Sequence, residues 1–458
     1  MRTAQLLLGG AVTMAALSSV GCGGDEPAAP RSSATTGTGA TGRGGSSAGN
    51  GGAGSGASAS GGQGGDAPIY EPDPIPDVGP DPPSCDDPVK DGLQFLDDTC
   101  AAKRWPTFEE RALVCPTIDD SATIALTGGG SVVYQPSSAV VEVDGDALAG
   151  IVPDELAVTV ILVRRVGGVP HYRYLSNGNH DVTFQPWSST KFLAATNAAA
   201  RLRIVSDGAV GLSASVDGIP LGDLVSSMHA YDWDPYSSNS LGRYFHNVGG
   251  RERANAMIHD AWLNRPADET FGGNYGEAAP PLGYDFEEPG GETVSVNPDS
   301  TTGPSNHLSS FTLAEALKRI VLFREEPAQR LEGLAWEDVE ALLYGAESSE
   351  KYGPWGGMSR DKAVYLQSGH DMDYLEERSH GRWRIFSKLG NGSEGQLVNV
   401  AYGCFPVLDP DDEPVPGWGR ELIIGAQLAG VTATWAERDR LLATAFRAIL
   451  VRVIDGRL

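Results

Sequence analysis

The order of its strand patterns constrains this chain more than any other feature of the sequence. A strand pair stands at 157–164 and 170–175 around a Gly167-Gly168 turn, and strand patterns return only at 382–388, 397–402 and 421–426. Between the two groups, to about residue 345, helical patterns dominate. Strands so far apart can share a sheet only if the helical block is an insertion into it. The order therefore predicts an α+β architecture, an antiparallel sheet with flanking helices and an inserted all-helical subdomain, with a cleft between the two parts. The chain closes on an amphipathic helix, opened by a Thr434/Glu437 capping box and running through Leu441, Leu442, Phe446 and Leu450.

Composition divides what precedes that frame. Residues 1–22 read as an export signal: Arg2, an apolar run from Leu6 to Leu17, then small residues ending on Gly21-Cys22. The run is too short to span a bilayer. Its ending resembles the bacterial lipobox, which implies lipidation at Cys22. Ser19 stands where leucine is usual, so plain cleavage and secretion stays open. Residues 23–84 are rich in Gly, Ser, Ala and Thr, then in Pro and Asp, and predict a disordered tether. Residues 85–150 read as a Cys-containing, β-rich N-terminal extension and 151–458 as the main domain. The expected location is the bacterial cell envelope, with the folded part anchored to a membrane and facing the periplasm or the exterior.

Four further cysteines, Cys85, Cys100, Cys115 and Cys404, are an even count for an exported chain and predict two disulfides. Three pairings are open. Because three of the four cluster between 85 and 115, at least one bridge pins the start of the folded part. Neither the cysteine spacings nor the 8 scattered histidines fit a metal site, and no metal or organic cofactor is expected. The formal net charge of −26 excludes nucleic acid as a partner.

Ser188 precedes Lys191 by one helical turn at the start of a helical pattern, so both side chains share a face. A lysine amine so placed can activate a serine hydroxyl that is otherwise inert. The same spacing recurs at Ser348/Lys351 and Ser359/Lys362, so context has to separate Ser188 from them. Ser237-Ser238-Asn239 follows, after a helical segment at 220–229, and Lys388-Leu389-Gly390-Asn391 comes much later on a strand pattern. In order, spacing and setting the chain resembles the serine β-lactamase and penicillin-binding protein superfamily, whose motifs are S-x-x-K, S-x-N and K-[TS]-G. The flanks are most similar to class A β-lactamases, over roughly residues 155–455. Ser295-Val296-Asn297 and Lys351-Tyr352-Gly353 fit as strings but lack the setting.

The resemblance implies a role for each residue. Ser188 is the acylated nucleophile and Lys191 the buried proton acceptor. Ser237 relays a proton to the leaving nitrogen, and Asn239 holds Lys191 and the substrate. Lys388 supplies positive charge near Ser237 and the substrate carboxylate, and Gly390 lets the strand approach the substrate. The N–H groups of Ser188 and Asn391 form an oxyanion hole. Hydrolysis of β-lactams, or of peptidoglycan peptide amides as in D-alanyl-D-alanine carboxypeptidases, follows as the expected activity. The partners are then a small-molecule or peptidoglycan-peptide substrate and, through the lipid anchor, a membrane.

Three departures modify that expectation. Leu389 replaces the threonine or serine whose hydroxyl binds the substrate carboxylate, a loss of about 1.5–3 kcal/mol. No E-x-x-L-N pattern for a deacylating glutamate occurs between 263 and 312, which leaves Glu277, Glu287, Glu288 and Glu292 as candidates. The family's long first helix is replaced by the β-rich stretch before residue 150. Each site residue also has an ordinary reading: Ser188 and Asn239 as helix caps, Lys191 as a surface lysine, Lys388 as a strand-edge charge. Leu389 suits an esterase or amidase whose substrate lacks a carboxylate. The competing class is a non-catalytic envelope binding protein that keeps the fold.

Overall fold

A computed structural model describes residues 103–458 apart from 112–113, 119–120, 302, 304, 364, 369–370, 393–395 and 429–434. The signal segment with Cys22, the 23–84 tether, Cys85, Cys100 and Thr434 lie outside the described residues. Strands β1 (Leu156–Val166) and β2 (Val169–Ser176) form a hairpin across Gly167-Gly168. Strands β3 (Arg384–Asn391), β4 (Leu397–Phe405) and β5 (Arg420–Leu428) follow the helical block. They assemble antiparallel in the order β3-β4-β5-β1-β2. The joint between early and late strands is β5 on β1, with Leu422 opposite Leu162 and Ile424 opposite Val160. The helical block is thus an insertion into one sheet, as the strand order requires, but it is not all-helical: Ser215–Val216, Ile219–Pro220, Asp285–Glu287 and Thr293–Ser295 form a small four-stranded sheet within it.

The longer helices of that block are α1 (Lys191–Val205), α2 (Leu221–Ala230), α3 (Ser238–Gly249), α4 (Ser310–Val321) and α5 (Trp336–Tyr344). The last helix is α6 (Trp435–Ile454). Side chains alternate across the sheet, so each strand feeds two cores. Ile161, Phe386, Val400 and Ile423 pack with the helical block. Val160, Leu162, Leu422 and Ile424 pack with Leu442, Phe446 and Ile449 of α6 on the other face. Both faces being covered, β4 is buried at every residue. Helix α4 is capped by Ser309, whose Oγ accepts the Thr312 N–H at 3.2 Å, and it crosses the sheet closely. A Cβ on Gly425 would stand 2.4 Å from the Ser310 carbonyl oxygen, so this crossing needs glycine in β5.

The β-rich stretch before residue 150 joins the same sheet. After a hairpin of Thr123–Ala125 with Ser131–Val133, the segments Gln135–Pro136 and Val143–Asp144 both pair with β2. The described residues of 103–118 serve the opposite edge. The Arg104 N–H donates to Gln367 Oε1 at 2.8 Å, and the Arg384 guanidinium donates to the Phe108 carbonyl at 3.2 Å. Cys115 is bridged to Cys404 in β4. The strap thereby shields part of the β3 edge, which would otherwise offer itself for pairing. Among the described residues no helix is long and apolar enough to cross a membrane.

Candidate active site

Helix α1 is preceded by a 3-10 turn, Trp187–Thr190, that carries Ser188. Trp187 has a φ of 51°, a left-handed conformation that a tryptophan adopts only under constraint. Its indole N–H donates to Gln396 Oε1, which ties the turn to the end of the β3–β4 pair. Gly390 sets the other contact. A Cβ there would fall 2.3 Å from the Pro186 carbonyl oxygen and 2.9 Å from the Ser189 nitrogen, so the turn lies directly against β3. Asn391, the last residue of β3, follows at once, and its buried side-chain Oδ1 has no hydrogen-bond partner among the described residues.

Alanine fills the interior of α1, and Ala194, Ala195, Ala198 and Ala199 are wholly buried. The helix runs through the centre of the block, so Lys191 at its start is 0% exposed. Its Nζ donates to Ser238 Oγ at 2.9 Å and to Asn239 Oδ1 at 2.7 Å, both neutral acceptors. The rings of Tyr231 and Tyr275 lie 5.7 and 5.4 Å from the same nitrogen. Burial first, and then the charge of Lys388, hold the amine well below the ordinary lysine pKa, against the pull of Glu277 and Asp361.

Ser237 is the N-cap of α3, its Oγ accepting the Ser240 N–H at 3.1 Å. Its own hydroxyl donates to the Glu277 carboxylate. Asn239 Nδ2 also donates to Glu277, at 3.2 Å. Of the four candidate glutamates, Glu277 is therefore the one joined to the site by hydrogen bonds. Glu288 instead accepts from the Gly211 N–H and the Ser213 hydroxyl, and Glu287 and Glu292 lie in the hairpin Asp285–Glu287 with Thr293–Ser295 or its turn.

Lys388 projects from β3 and is also 0% exposed. Its Nζ stands 3.3 Å from Asp361 Oδ1, donates to the Tyr231 phenol at 2.5 Å and lies 4.0 Å from that ring's centre. Burial brings this lysine down to about 8, with Asp361 opposing the fall. Asp361 is wholly buried and also accepts from Ser387 Oγ at 2.9 Å. The Tyr231 phenol donates to the Leu389 carbonyl at 2.8 Å and has the Ser188 side chain as a hydrogen-bonding neighbour. Burial and Asp361 keep the phenol protonated well above its usual range. Leu389 itself points into the core shared with α6 and is 1% exposed.

The sequence-predicted residues Ser188, Lys191, Ser237, Asn239, Lys388 and Gly390 thus share one neighbourhood, but their contacts differ from those implied by resemblance. The hydroxyl that meets Lys191 is Ser238 rather than Ser237. The groups that meet Lys388 are Tyr231 and Asp361. Neither was singled out from sequence; Asp361 sits inside the Ser359/Lys362 decoy, and Tyr231 six residues before Ser237 matches no motif. Among the described residues no group of three or more His, Cys, Asp or Glu is placed to hold a metal ion.

No family model and no curated protein sequence matches the chain. Among solved structures it is similar to a class A β-lactamase of the last common ancestor of Gram-negative bacteria, at 17% identity over 64% of this chain and 92% of that one, with a TM-score of 0.37. An ancestral class A β-lactamase matches at 16% identity over 64% and 93%, again with a TM-score of 0.37. A β-lactamase from Burkholderia vietnamiensis matches at 13% identity over 69% and 97%, with the same TM-score.

Proposed function

We propose that this protein is a serine hydrolase that works through an acyl-enzyme on Ser188. The observation that carries the reading is Lys191, a lysine with no exposed surface whose two partners are neutral oxygens. Burying an unpaired ammonium is costly, so such a group gives up its proton and waits as a free amine. An amine one helical turn from a serine, beside a second buried lysine, is the equipment for taking the hydroxyl proton as the serine attacks a carbonyl. A binding module has no use for that arrangement. Ser188 forms the ester, Lys191 accepts its proton, Lys388 supplies positive charge and Asn239 holds Lys191. Glu277, which bonds both Ser237 and Asn239, is the carboxylate available to orient the water that ends the cycle.

Two substrate classes fit the acyl-enzyme reading. β-Lactams and peptidoglycan peptide amides carry a carboxylate beside the scissile amide, and the motif resemblance favours them. Neutral esters or amides are favoured by a specific contact: the charge of Lys388 is already met by Asp361 at 3.3 Å, and Leu389 offers no hydroxyl. From the signal-like residues 1–22 we also propose that it is exported to the cell envelope and anchored through a lipid on Cys22.

Incubation with a fluorescent penicillin and, separately, a fluorophosphonate, followed by intact mass beside a Ser188→Ala control, tests the proposal. A Ser188-dependent adduct or turnover is expected with at least one. Absence of both would hand the lead to the binding-protein reading.

A further inference from the structure

The contacts around Ser188 raise a question that its motif leaves unanswered: which group gives the leaving atom its proton. The Ser237 hydroxyl caps α3 and is held by a charged acceptor, the Glu277 carboxylate, whereas the Tyr231 proton rests on a neutral one, the Leu389 carbonyl at 2.8 Å. Among the described residues Ser237 makes no hydrogen bond to Lys191 or Lys388. Tyr231 lies at the junction instead. Its oxygen receives the Lys388 ammonium at 2.5 Å, and the Ser188 side chain is its hydrogen-bonding neighbour.

The backbone at Tyr231 adds an independent sign. The residue ends α2 at φ 55°, ψ 31°, the left-handed position that glycine or asparagine occupies without cost. A tyrosine there is strained, and strain of this kind persists where the surroundings demand a particular side chain. What they demand is visible: the ring fills the space against Lys388, and the phenol reaches across 158 residues of sequence to the Leu389 carbonyl.

We propose that Tyr231 is the catalytic acid of the Ser188 reaction, protonating the leaving atom and recovering that proton from water during deacylation. The proposal rests on the acyl-enzyme reading above. As the bond from Ser188 Oγ to the acyl carbon forms, the serine proton passes to the Lys191 amine. The bond to the leaving nitrogen or oxygen breaks with its electron pair on that atom, which takes the Tyr231 proton. The phenolate left behind takes the Lys388 proton across their hydrogen bond, which leaves Lys388 a neutral amine. Water then gives one proton to Tyr231, which returns its own to the Lys388 amine, while the water oxygen joins the acyl carbon. The Lys191 ammonium returns a proton to Ser188 as the acid departs, and every group regains its starting state.

The test compares full-length wild type with Tyr231→Phe on the p-nitrophenyl, phenyl and ethyl esters and the anilide of one short acyl group. A p-nitrophenolate leaves without a proton, so its burst release in the first turnover, before the deacylation that also uses Tyr231, should change by no more than about threefold. The ethyl ester and the anilide should slow by about 100-fold or more, the usual share of a general acid. An equal loss across the series would mean that the phenol serves only packing, and would overturn the assignment. So would a graded loss in Ser237→Ala with none in Tyr231→Phe. Fluorophosphonate labelling of wild-type Ser188 separates the two ideas. Labelling with an ungraded series removes Tyr231 alone, whereas no labelling and no turnover removes the Ser188 reading and this one with it.

Discussion

Replacing Gly390 by alanine probes the most tightly drawn contact of the site. The added Cβ would stand 2.3 Å from the Pro186 carbonyl oxygen, whereas a methyl carbon meets an oxygen comfortably at about 3.3 Å. The strand and the Ser188 turn must therefore part by about 1 Å. The Pro186 oxygen is backbone, bonded to the Ser189 N–H and hydroxyl, so it cannot swing aside as a side chain would. Overpacking of this kind costs about 1–3 kcal/mol. The stiffer unfolded chain returns up to about 1 kcal/mol. A net loss of about 1–2 kcal/mol is expected in guanidinium unfolding. The chemical cost should be larger, because a 1 Å displacement of a nucleophile lowers rates by about 100-fold. The rate of Ser188 labelling by a fluorophosphonate reads it directly. Reduced stability with an unchanged labelling rate would show that β3 gives way while the serine stays in place, and the account of Gly390 would be wrong.

Two other perturbations have definite signs. Lys191→Met exchanges a buried amine for an apolar chain of similar length, so thermal and denaturant unfolding should show stability unchanged or raised by about 1–4 kcal/mol while acylation is lost; a destabilised variant would mean that the amine is held charged. Lys388 has a folded pKa of about 8 against an ordinary 10.5. Between those values the unfolded chain holds a proton that the folded one lacks, so stability rises with pH there. The cost of burying this lysine is complete below about pH 8 and relieved by about 3 kcal/mol towards pH 10.5. Wild type measured against Lys388→Met should gain about 2 kcal/mol of that between pH 8 and pH 10, and a constant difference would refute it.

The sheet was legible in the sequence because its evidence is local. The apolar runs of β1, β4 and β5 and the Gly167-Gly168 turn each announce themselves, and the pairing of β5 on β1 follows from chain order. Ser188, Lys191, Asn239 and Lys388 were legible because spacing from a helix or strand start carries their placement. The contacts that complete the site are not local. Tyr231 meets Leu389 and Lys388, Asp361 meets Lys388 and Lys103, and Glu277 meets Ser237 and Asn239. Nothing in the sequence around Tyr231 or Asp361 shows which lysine either will face. The fine orientation of Ser237 was missed for a related reason: capping α3 turns its hydroxyl towards Glu277, and a motif string does not say which of two adjacent serines looks inward.

The bridge between Cys115 and Cys404 has a topological consequence. It closes residues 115–404 into a covalent ring, and Ser188, Lys191, Tyr231, Ser237, Glu277, Asp361 and Lys388 all lie on it. A protease that nicks this ring once opens a circle without cutting any of those residues free. The nicked molecule keeps a single mass until it is reduced, and then falls into two. The stretch before residue 115 and the stretch after 404, which includes β5 and α6, leave the ring at the same knot.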